Sequence, residues 1–424
     1  MRKFILLFSL CCLVLFTVGQ KKKKPVVMIV GDDILAFTAA VQSARSNVPT
    51  LWVLSGAEFI PELTAETLCI DNYANLDGGI WMEILMETAL TTQRNDSLAA
   101  VVKRELNPRL VRNALDKIVL KQQNLTVVFK QSVVQLKQHK KRWVATLSNK
   151  NKYELHSIVD ASADQYLQPY IGNPIQYARP AKLSAIQSLT DVQLKTMVAS
   201  GQSADQVYGI GLANLLFLQK NNLLNTYGVN QLFDEAIETI PLKASVGQAY
   251  GALAAYLAFF KADVEKVDIR KLQSELLVYG ARIMPYQDIQ INDPNFVAIQ
   301  KIGLTNLFKG KASDRDFLFD ADAPVQFEEV KDDFKQFFFR SQLWFLDHQG
   351  TTFTWREFLS LLKFVGLRGD EIEQQLIKDW SSKLKFKGTY SPDTAVTRYE
   401  FATLLDRYAS PYVKTLSQDG LLIN

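Results

Sequence analysis

Residues 25–54 read PVVMIVGDDILAFTAAVQSARSNVPTLWVL, and this stretch decides the fold. It opens with a continuous apolar run ending at Val30, of the kind that forms a strand buried on both faces. Apolar residues then recur at helical spacing from Ile34 to Ala44, and Pro49 closes the segment. A second apolar run follows. Strand, tight turn, helix and strand within about thirty residues form a βαβ unit, which predicts a doubly wound parallel α/β sheet.

The chain of 424 residues begins with a short apolar leader. Arg2 and Lys3 precede an apolar run shorter than the roughly 20 residues needed to span a bilayer, and small residues follow it. We therefore predict a signal peptide over residues 1–19, no transmembrane segment, and export to a periplasmic or extracellular location. Removing the leader takes away two of the 48 cations and no acid, so the net charge falls from +4 to +2. This balance gives no electrostatic argument for nucleic acid as a partner.

The residue inventory excludes several kinds of site. Cys69 is the one cysteine beyond the leader, so neither an intramolecular disulfide nor a cysteine metal cluster is expected. The three histidines, His139, His156 and His348, stand far apart in sequence and offer no zinc-binding pair. No G-x-S-x-G elbow and no G-x-x-x-x-G-K-[ST] loop occurs. We predict no metal site, and the sequence leaves the catalytic residues unassigned.

Four segments occur in the order found in the FAD-dependent oxidoreductase family, which this chain resembles. Gly31 ends the first strand where that family has G-x-G-x-x-G, and Gly78-Gly79 resembles its Gly-Gly-led helix. Residues 158–164 resemble its Asp-Ala-Thr-Gly-Asp strand end, and residues 246–252 its last flavin-side helix. The resemblance covers residues 26–285. It implies a Rossmann-like, dinucleotide-binding fold with FAD as cofactor.

The resemblance also implies which positions would contact the cofactor. They are Gly31, Asp33, Ala36, Ser55, Gly78, Gly79, Ser162 and Gly247. Two of these segments have a simpler interpretation when taken singly. Gly78-Gly79 could be a turn before a helix, and Gly247 with Gly251 could be small residues that let two helices pack closely.

The departures from the family pattern lie at the phosphate-binding turn and at two positions after the second strand. Asp33 replaces the second motif glycine, and Asp32, a good N-cap residue, adds a second carboxylate where pyrophosphate would meet a helix N-terminus. At ~4 Å, each carboxylate–phosphate contact would cost about 1 kcal/mol in water and about 4 kcal/mol at an effective dielectric constant of 20. Ser55 replaces the ribose-binding acid, and Pro61-Glu62 replaces a further Gly-Gly. We predict weakened or lost FAD binding; an active FAD oxidoreductase acting on an unknown small molecule is the alternative.

The rest of the chain departs from the family in two ways. Residues 180–240, where the family inserts a larger substrate domain, are short here and carry mostly helical patterning. Beyond Pro285 a six-residue pattern occurs three times, at residues 325–330, 353–358 and 396–401. Repeated helical units of this kind stack, because none buries its apolar face alone. We predict an FAD-dependent oxidoreductase-like domain over residues 20–285 and a small helical repeat domain over residues 286–424.

The repeats contain helix-capping motifs. Thr354 with Glu357 and Thr397 with Glu400 fit the capping box that opens a helix. The third copy, which includes Thr397-Arg398, resembles an S-layer homology repeat, and residues 293–310 resemble the first helix and turn of another. In that family the Thr-Arg pair contributes to holding an envelope polysaccharide, so the resemblance implies a glycan partner through Thr397 and Arg398. Capping alone is the other interpretation, and a non-catalytic glycan-binding protein is a third functional hypothesis.

Overall fold

The computed structural model describes residues 24–162, 166–170, 184–216, 219, 221–226, 229, 233, 236–313 and 315–423. The predicted signal peptide lies outside these ranges. The elements up to residue 285 are, in chain order, β1 (Val27–Val30), α1 (Ile34–Arg45), β2 (Thr50–Val53), α2 (Pro61–Thr64), α3 (Gly79–Thr88), α4 (Asp96–Arg104), α5 (Pro108–Leu120), β3 (Leu125–Val128), β4 (Val133–His139), β5 (Arg142–Leu147), β6 (Lys152–Leu155), β7 (Ser157–Asp160), β8 (Ser184–Ala185), α6 (Asp191–Lys195), β9 (Met197–Ser203), β10 (Gln206–Gly211), α7 (Leu212–Leu216), β11 (Leu223–Asn225), α8 (Ile240–Phe260) and α9 (Ile269–Val278). The later elements are α10 (Phe296–Thr305), β12 (Lys311–Ala312), β13 (Phe317–Leu318), α11 (Phe327–Phe337), α12 (Ser341–Asp347), α13 (Trp355–Gly366), α14 (Glu371–Asp379) and α15 (Arg398–Tyr408).

A parallel sheet with strand order β11-β7-β1-β2-β3 forms the centre of the first part. Successive residues of β1 point to opposite faces, as they must in a strand. Val27 and Ile29 pack with the helices α1 and α8, whereas Met28 and Val30 pack with the antiparallel sheet β4-β5-β6. The predicted βαβ unit and the Rossmann-like α/β fold are confirmed, with helices on one face of the sheet and three antiparallel strands on the other.

The prediction of mostly helical structure for residues 180–240 is wrong in the described part of that segment. Its main elements are the antiparallel strands β8, β10 and β9. All seven residues of β9 are buried, so the strand lacks the apolar–polar alternation that would reveal it. Its polar side chains have distant partners: Ser200 Oγ donates to Arg282 O at 3.0 Å, and Gln202 Oε1 accepts from Ala74 N at 2.9 Å.

The three copies of the six-residue pattern meet one another through their backbones. Val325 N donates to Val396 O at 3.0 Å, Phe353 N to Val325 O at 2.9 Å, and Val396 N to Phe353 O at 2.9 Å. This closed ring of hydrogen bonds relates the copies by an approximate threefold axis. The helices α11, α13 and α15 begin beside it. The repeat in sequence is therefore also a repeat in structure.

The capping boxes form as predicted in the second and third copies. Thr354 pairs with Glu357 and Thr397 with Glu400, each hydroxyl accepting from the backbone N–H three residues on while the glutamate accepts from the threonine N–H. Gln326, at the same position of the first copy, makes no side-chain cap.

A continuous apolar core joins the two parts of the chain. It includes Leu35 and Val246 before residue 285 and Phe334 and Phe401 after it. The predicted domain boundary therefore falls within a region of shared packing. Among the described helices, none combines the length and apolar character of a membrane-spanning segment.

Candidate functional site

The turn between β1 and α1 is the place where this fold would bind a dinucleotide. Gly31 has a φ of 141°, and a Cβ built on it would lie 2.9 Å from Ala161 O, so glycine is required here. Trp52 Nε1 donates to Gly31 O at 2.9 Å and fixes the turn against β2. Ala36, the third motif position, is fully buried in the first turn of α1.

Two carboxylates of the protein bind the N-terminus of α1. Asp33 Oδ1 accepts from Ala36 N at 2.9 Å, and Glu62 Oε1 accepts from Ile34 N at 3.0 Å. The expectation that Asp32 caps this helix is wrong, because α1 begins at Ile34 and the residue before it, Asp33, has extended backbone angles and accepts from Ala36 N. Asp32 instead accepts from the backbone N–H of Ser55 at 3.0 Å and from its hydroxyl.

Burial changes the acidity of both capping carboxylates. Loss of solvation raises the pKa of Asp33 to about 6, opposed by the Ala36 hydrogen bond and the charge of Lys243. Glu62 is an exposed residue of α2, but its carboxylate accepts from the N-terminus of α1. Desolvation there, together with the nearby charge of Asp33, raises the pKa of Glu62 to about 7. The two carboxylates therefore titrate near neutral pH.

This titration predicts how stability depends on pH. Because the pKa of Asp33 is higher in the folded than in the unfolded chain, the folded state binds more protons between about pH 4 and 6, and stability falls as the pH rises through that window. The Asp33→Asn variant keeps a capping oxygen without the charge. At pH 8 we expect it to exceed the wild type in free energy of unfolding by up to about 3 kcal/mol, a difference that vanishes near pH 4. Urea unfolding at both pH values measures this, and a gain independent of pH would contradict it.

Gly78 and Gly79 lead into α3, as the sequence suggested, and the protein occupies the start of that helix. Gly79 N donates to Gly280 O at 2.7 Å, and Gln248 Oε1 accepts from Ile80 N at 3.1 Å. Gly79 has a φ of 54°, and a Cβ there would lie 1.8 Å from Gln248 Oε1. Its lack of a side chain makes room for a glutamine of this chain.

The other positions assigned to the cofactor also contact the protein. Gly247 faces α1, where a Cβ would lie 2.3 Å from Leu35 O. Ser162 Oγ donates to Asp160 Oδ1 at 2.5 Å and accepts from Tyr166 N at 2.8 Å. The next residues of that predicted strand end, 163 and 164, lie outside the described residues.

The sequence assigned Gly31, Asp33, Ala36 and Ser55 to one cofactor site. In the structure these four residues lie around the turn between β1 and α1. The sequence did not assign a role to Glu62, although the departure at Pro61-Glu62 from the expected Gly-Gly marked the position. As they stand, these residues do not fit an FAD pyrophosphate, because carboxylates occupy two of the N–H groups that a phosphate would use. Within the described ranges, no group of three or more potential ligands could hold a metal ion.

Arg398 and Thr397 are both engaged inside the repeat region. Arg398 Nη1 lies 2.9 Å from Glu329 Oε1, Nη2 donates to Lys309 O at 2.7 Å, and the side chain is 7% exposed. The Thr397 hydroxyl contacts Glu400 in the capping box. The residues predicted to hold a glycan therefore serve the packing of this region.

A groove of about 890 Å³ lies elsewhere in the repeat region, against α12, α13 and α14. Its lining combines aromatic and cationic side chains, among them His348, Arg356, Lys363, Phe364 and Arg368, with two acids, Asp347 and Glu373. The His348 ring stacks on Trp344 with a centroid separation of 4.0 Å. Arg356 pairs with Asp393 at 2.7 Å, and both side chains are exposed.

Comparison with known proteins gives partial structural similarities. No family model matches the chain, and no curated protein matches it. Similar solved structures include a bacillithiol disulfide reductase from Staphylococcus aureus, with 16% identity over 33% of this chain and 38% of that one and a TM-score of 0.24. A thioredoxin reductase from Lactococcus lactis has 16% identity over 33% and 36%, with a TM-score of 0.23. A flavin monooxygenase from Stenotrophomonas maltophilia has 12% identity over 32% and 38%, with a TM-score of 0.24. The chain thus covers well under half of each of these structures.

Proposed function

We propose that the α/β part of this protein is a dinucleotide-type scaffold that no longer holds FAD, in an exported protein without oxidoreductase activity. One observation carries the proposal: Asp33 and Glu62 supply the anions at the N-terminus of α1. A phosphate there would meet two carboxylates and would have to displace both of their hydrogen bonds. The proposed export rests on the apolar leader.

A flavin titration tests this proposal. We expect purified mature protein to show no flavin absorbance and no change in Tm with added FAD. The double variant Asp33→Gly, Glu62→Ala frees both N–H groups. At pH 8, where both carboxylates are mostly ionised, it should bind ADP, which carries the same pyrophosphate, at least about tenfold more tightly than the wild type, because each removed contact cost about 1 kcal/mol or more.

Glu58→Ala is the matched control, since Glu58 is an exposed acid in the segment between β2 and α2 and pairs with Arg112. It should leave ADP binding unchanged. A stoichiometric flavin spectrum from the wild-type protein would overturn the proposal. Equal ADP binding by all three proteins would show that the carboxylates are not the cause.

A second function is favoured by the groove beside α12, α13 and α14. We propose that it binds an envelope polysaccharide, in place of the site first assigned to Thr397 and Arg398. Its lining offers aromatic surface for the apolar faces of sugar rings and guanidinium groups for anionic substituents.

Sedimentation with purified cell-wall polysaccharide measures this binding. The double variant Arg356→Ala, Arg368→Ala should lose most of it, whereas Arg142→Ala, an exposed arginine on β5, should keep it. Binding that survives the double variant would exclude this groove as the site.

A further inference from the structure

A second groove lies between α8, α9 and the segment after α15, well away from the turn at Asp33. Its volume is about 560 Å³, which falls within the range of small-molecule sites. Its rim carries large apolar side chains that remain exposed to solvent: Phe259 (62%), Phe260 (50%), Val278 (72%) and Val413 (71%). Exposed apolar side chains gathered around one groove are typical of a binding site.

The groove is also lined by a buried arginine that lacks an ionic partner. Arg270 is 5% exposed, and among the residues described no carboxylate lies within ion-pair distance of it. Its Nη1 donates to Gln273 Oε1 at 2.9 Å and to Leu304 O at 3.3 Å. Its Nε and Nη2 are buried without a hydrogen-bond partner. Leaving donors of a buried charged group unsatisfied costs free energy of folding. The unpaired Nε and Nη2 of Arg270 therefore need an explanation.

The positions of the two unsatisfied nitrogens indicate which chemical group of a ligand would pair with them. Nε and Nη2 form one side of the planar guanidinium, and their parallel N–H groups match the two oxygens of a carboxylate. Burial lowers the pKa of Arg270 to about 10, so the group keeps its charge at neutral pH. The guanidinium carbon lies 4.7 Å from the centre of the Tyr412 ring, which lines the same groove. Both nitrogens are shielded from water, so pairing with a ligand there requires displacement of a side chain that covers them, such as Tyr412.

The two lysines of the groove have acidic partners of their own. Lys271 lies 3.5 Å from Asp268, and Lys301 lies 3.5 Å from Asp406. Glu275 also lines the groove. Among the described residues neither Arg270 nor Glu275 has an ion-pair partner, so the groove combines an unpaired positive charge at Arg270 with an unpaired acid at Glu275, beneath an apolar rim.

We propose that this groove binds a small amphipathic carboxylate, an aliphatic chain with one acid group, whose head pairs with Nε and Nη2 of Arg270. The chain would lie against the exposed phenylalanine and valine side chains of the rim. This proposal does not depend on whether the protein binds FAD, because the groove shares no residue with the turn at the start of α1.

Calorimetric titration with decanoate, below its micelle concentration and at pH 8, tests the proposal, with 1-decanol as the uncharged probe. We expect decanoate to bind at one site per chain and decanol at least about tenfold more weakly. Arg270→Lys keeps the charge but loses the planar fork, and it should weaken decanoate binding about tenfold. Lys266→Gln removes an exposed charge outside the groove and should bind as the wild type does.

Val278→Asp keeps the test decisive if Arg270 variants fail to fold. It places a negative charge at an exposed position of the rim, and it should weaken decanoate binding while leaving the Tm close to that of the wild type. Absence of decanoate binding, or equal binding of decanol, would overturn the proposal. So would tight binding of a peptide with an apolar C-terminal residue in the absence of decanoate binding, which would identify a protein partner instead.

Discussion

Replacing Lys103 by methionine should lower the free energy of unfolding by about 3–5 kcal/mol. Lys103 Nζ lies 2.8 Å from Asp77 Oδ2, and the two side chains are 2% and 1% exposed. Trp81 Nε1 donates to the other carboxylate oxygen at 2.8 Å, which holds Asp77 in place. Methionine fills a similar volume but leaves the Asp77 charge buried without its ion-pair partner.

Urea unfolding followed by circular dichroism measures this loss, and the next residue along α4 supplies the control. Arg104 pairs with Asp71 at 3.4 Å, with side chains 67% and 68% exposed, so Arg104→Met should cost less than about 1 kcal/mol. Adding Asp77→Asn to Lys103→Met should recover part of the stability. Equal losses for Lys103→Met and Arg104→Met would contradict the prediction.

The first βαβ unit could be predicted because its information is local. Every residue of β1 and β2 is buried, so each strand appears in the sequence as an unbroken apolar run. The strand β9 is also fully buried, yet Ser200 and Gln202 are satisfied by partners 82 and 128 residues away. No local pattern encodes such partners, whereas the helical spacing of Leu212, Leu215 and Leu216 is local, and it suggested helix for the whole segment.

The residues of the candidate site also differ in whether their partners are near or far in sequence. The replacement of a motif glycine by Asp33 is visible in the sequence, and its capping role involves Ala36, three residues away. Glu62 completes the same helix end from 28 residues away, so the fold had to be known before its role could be recognised. Arg398 matched a family motif, but its burial against Glu329 and Lys309 depends on how the repeats pack. A motif identifies a residue type, whereas packing decides whether that residue faces a ligand.

Leucine in place of Gly251 should destabilise the protein by about 3 kcal/mol or more. Gly251 and Gly247 lie one turn apart on α8, on the side that meets α1. A Cβ would lie 2.3 Å from Ala39 O at the first position and 2.3 Å from Leu35 O at the second. These oxygens belong to the backbone of α1, so relieving the clash requires the whole helix to move within a closely packed core. Because the turn with Asp33 begins α1, that movement would also disturb the capping contacts.

Thermal and urea unfolding of the flavin-free protein separate this packing role from a cofactor role. Gly56→Leu is the control, since a Cβ at Gly56 meets just Asp32 Oδ2, at 3.9 Å. Gly251→Ala should cost less than Gly251→Leu, because alanine adds one carbon atom to the close contact between α8 and α1, whereas leucine adds four. If the small residues of α8 served flavin alone, both Gly251 variants would unfold like the wild type in the absence of cofactor. A loss confined to Gly251→Leu and Gly251→Ala, with Gly56→Leu unaffected, would mean that this glycine is retained for the contact between α1 and α8.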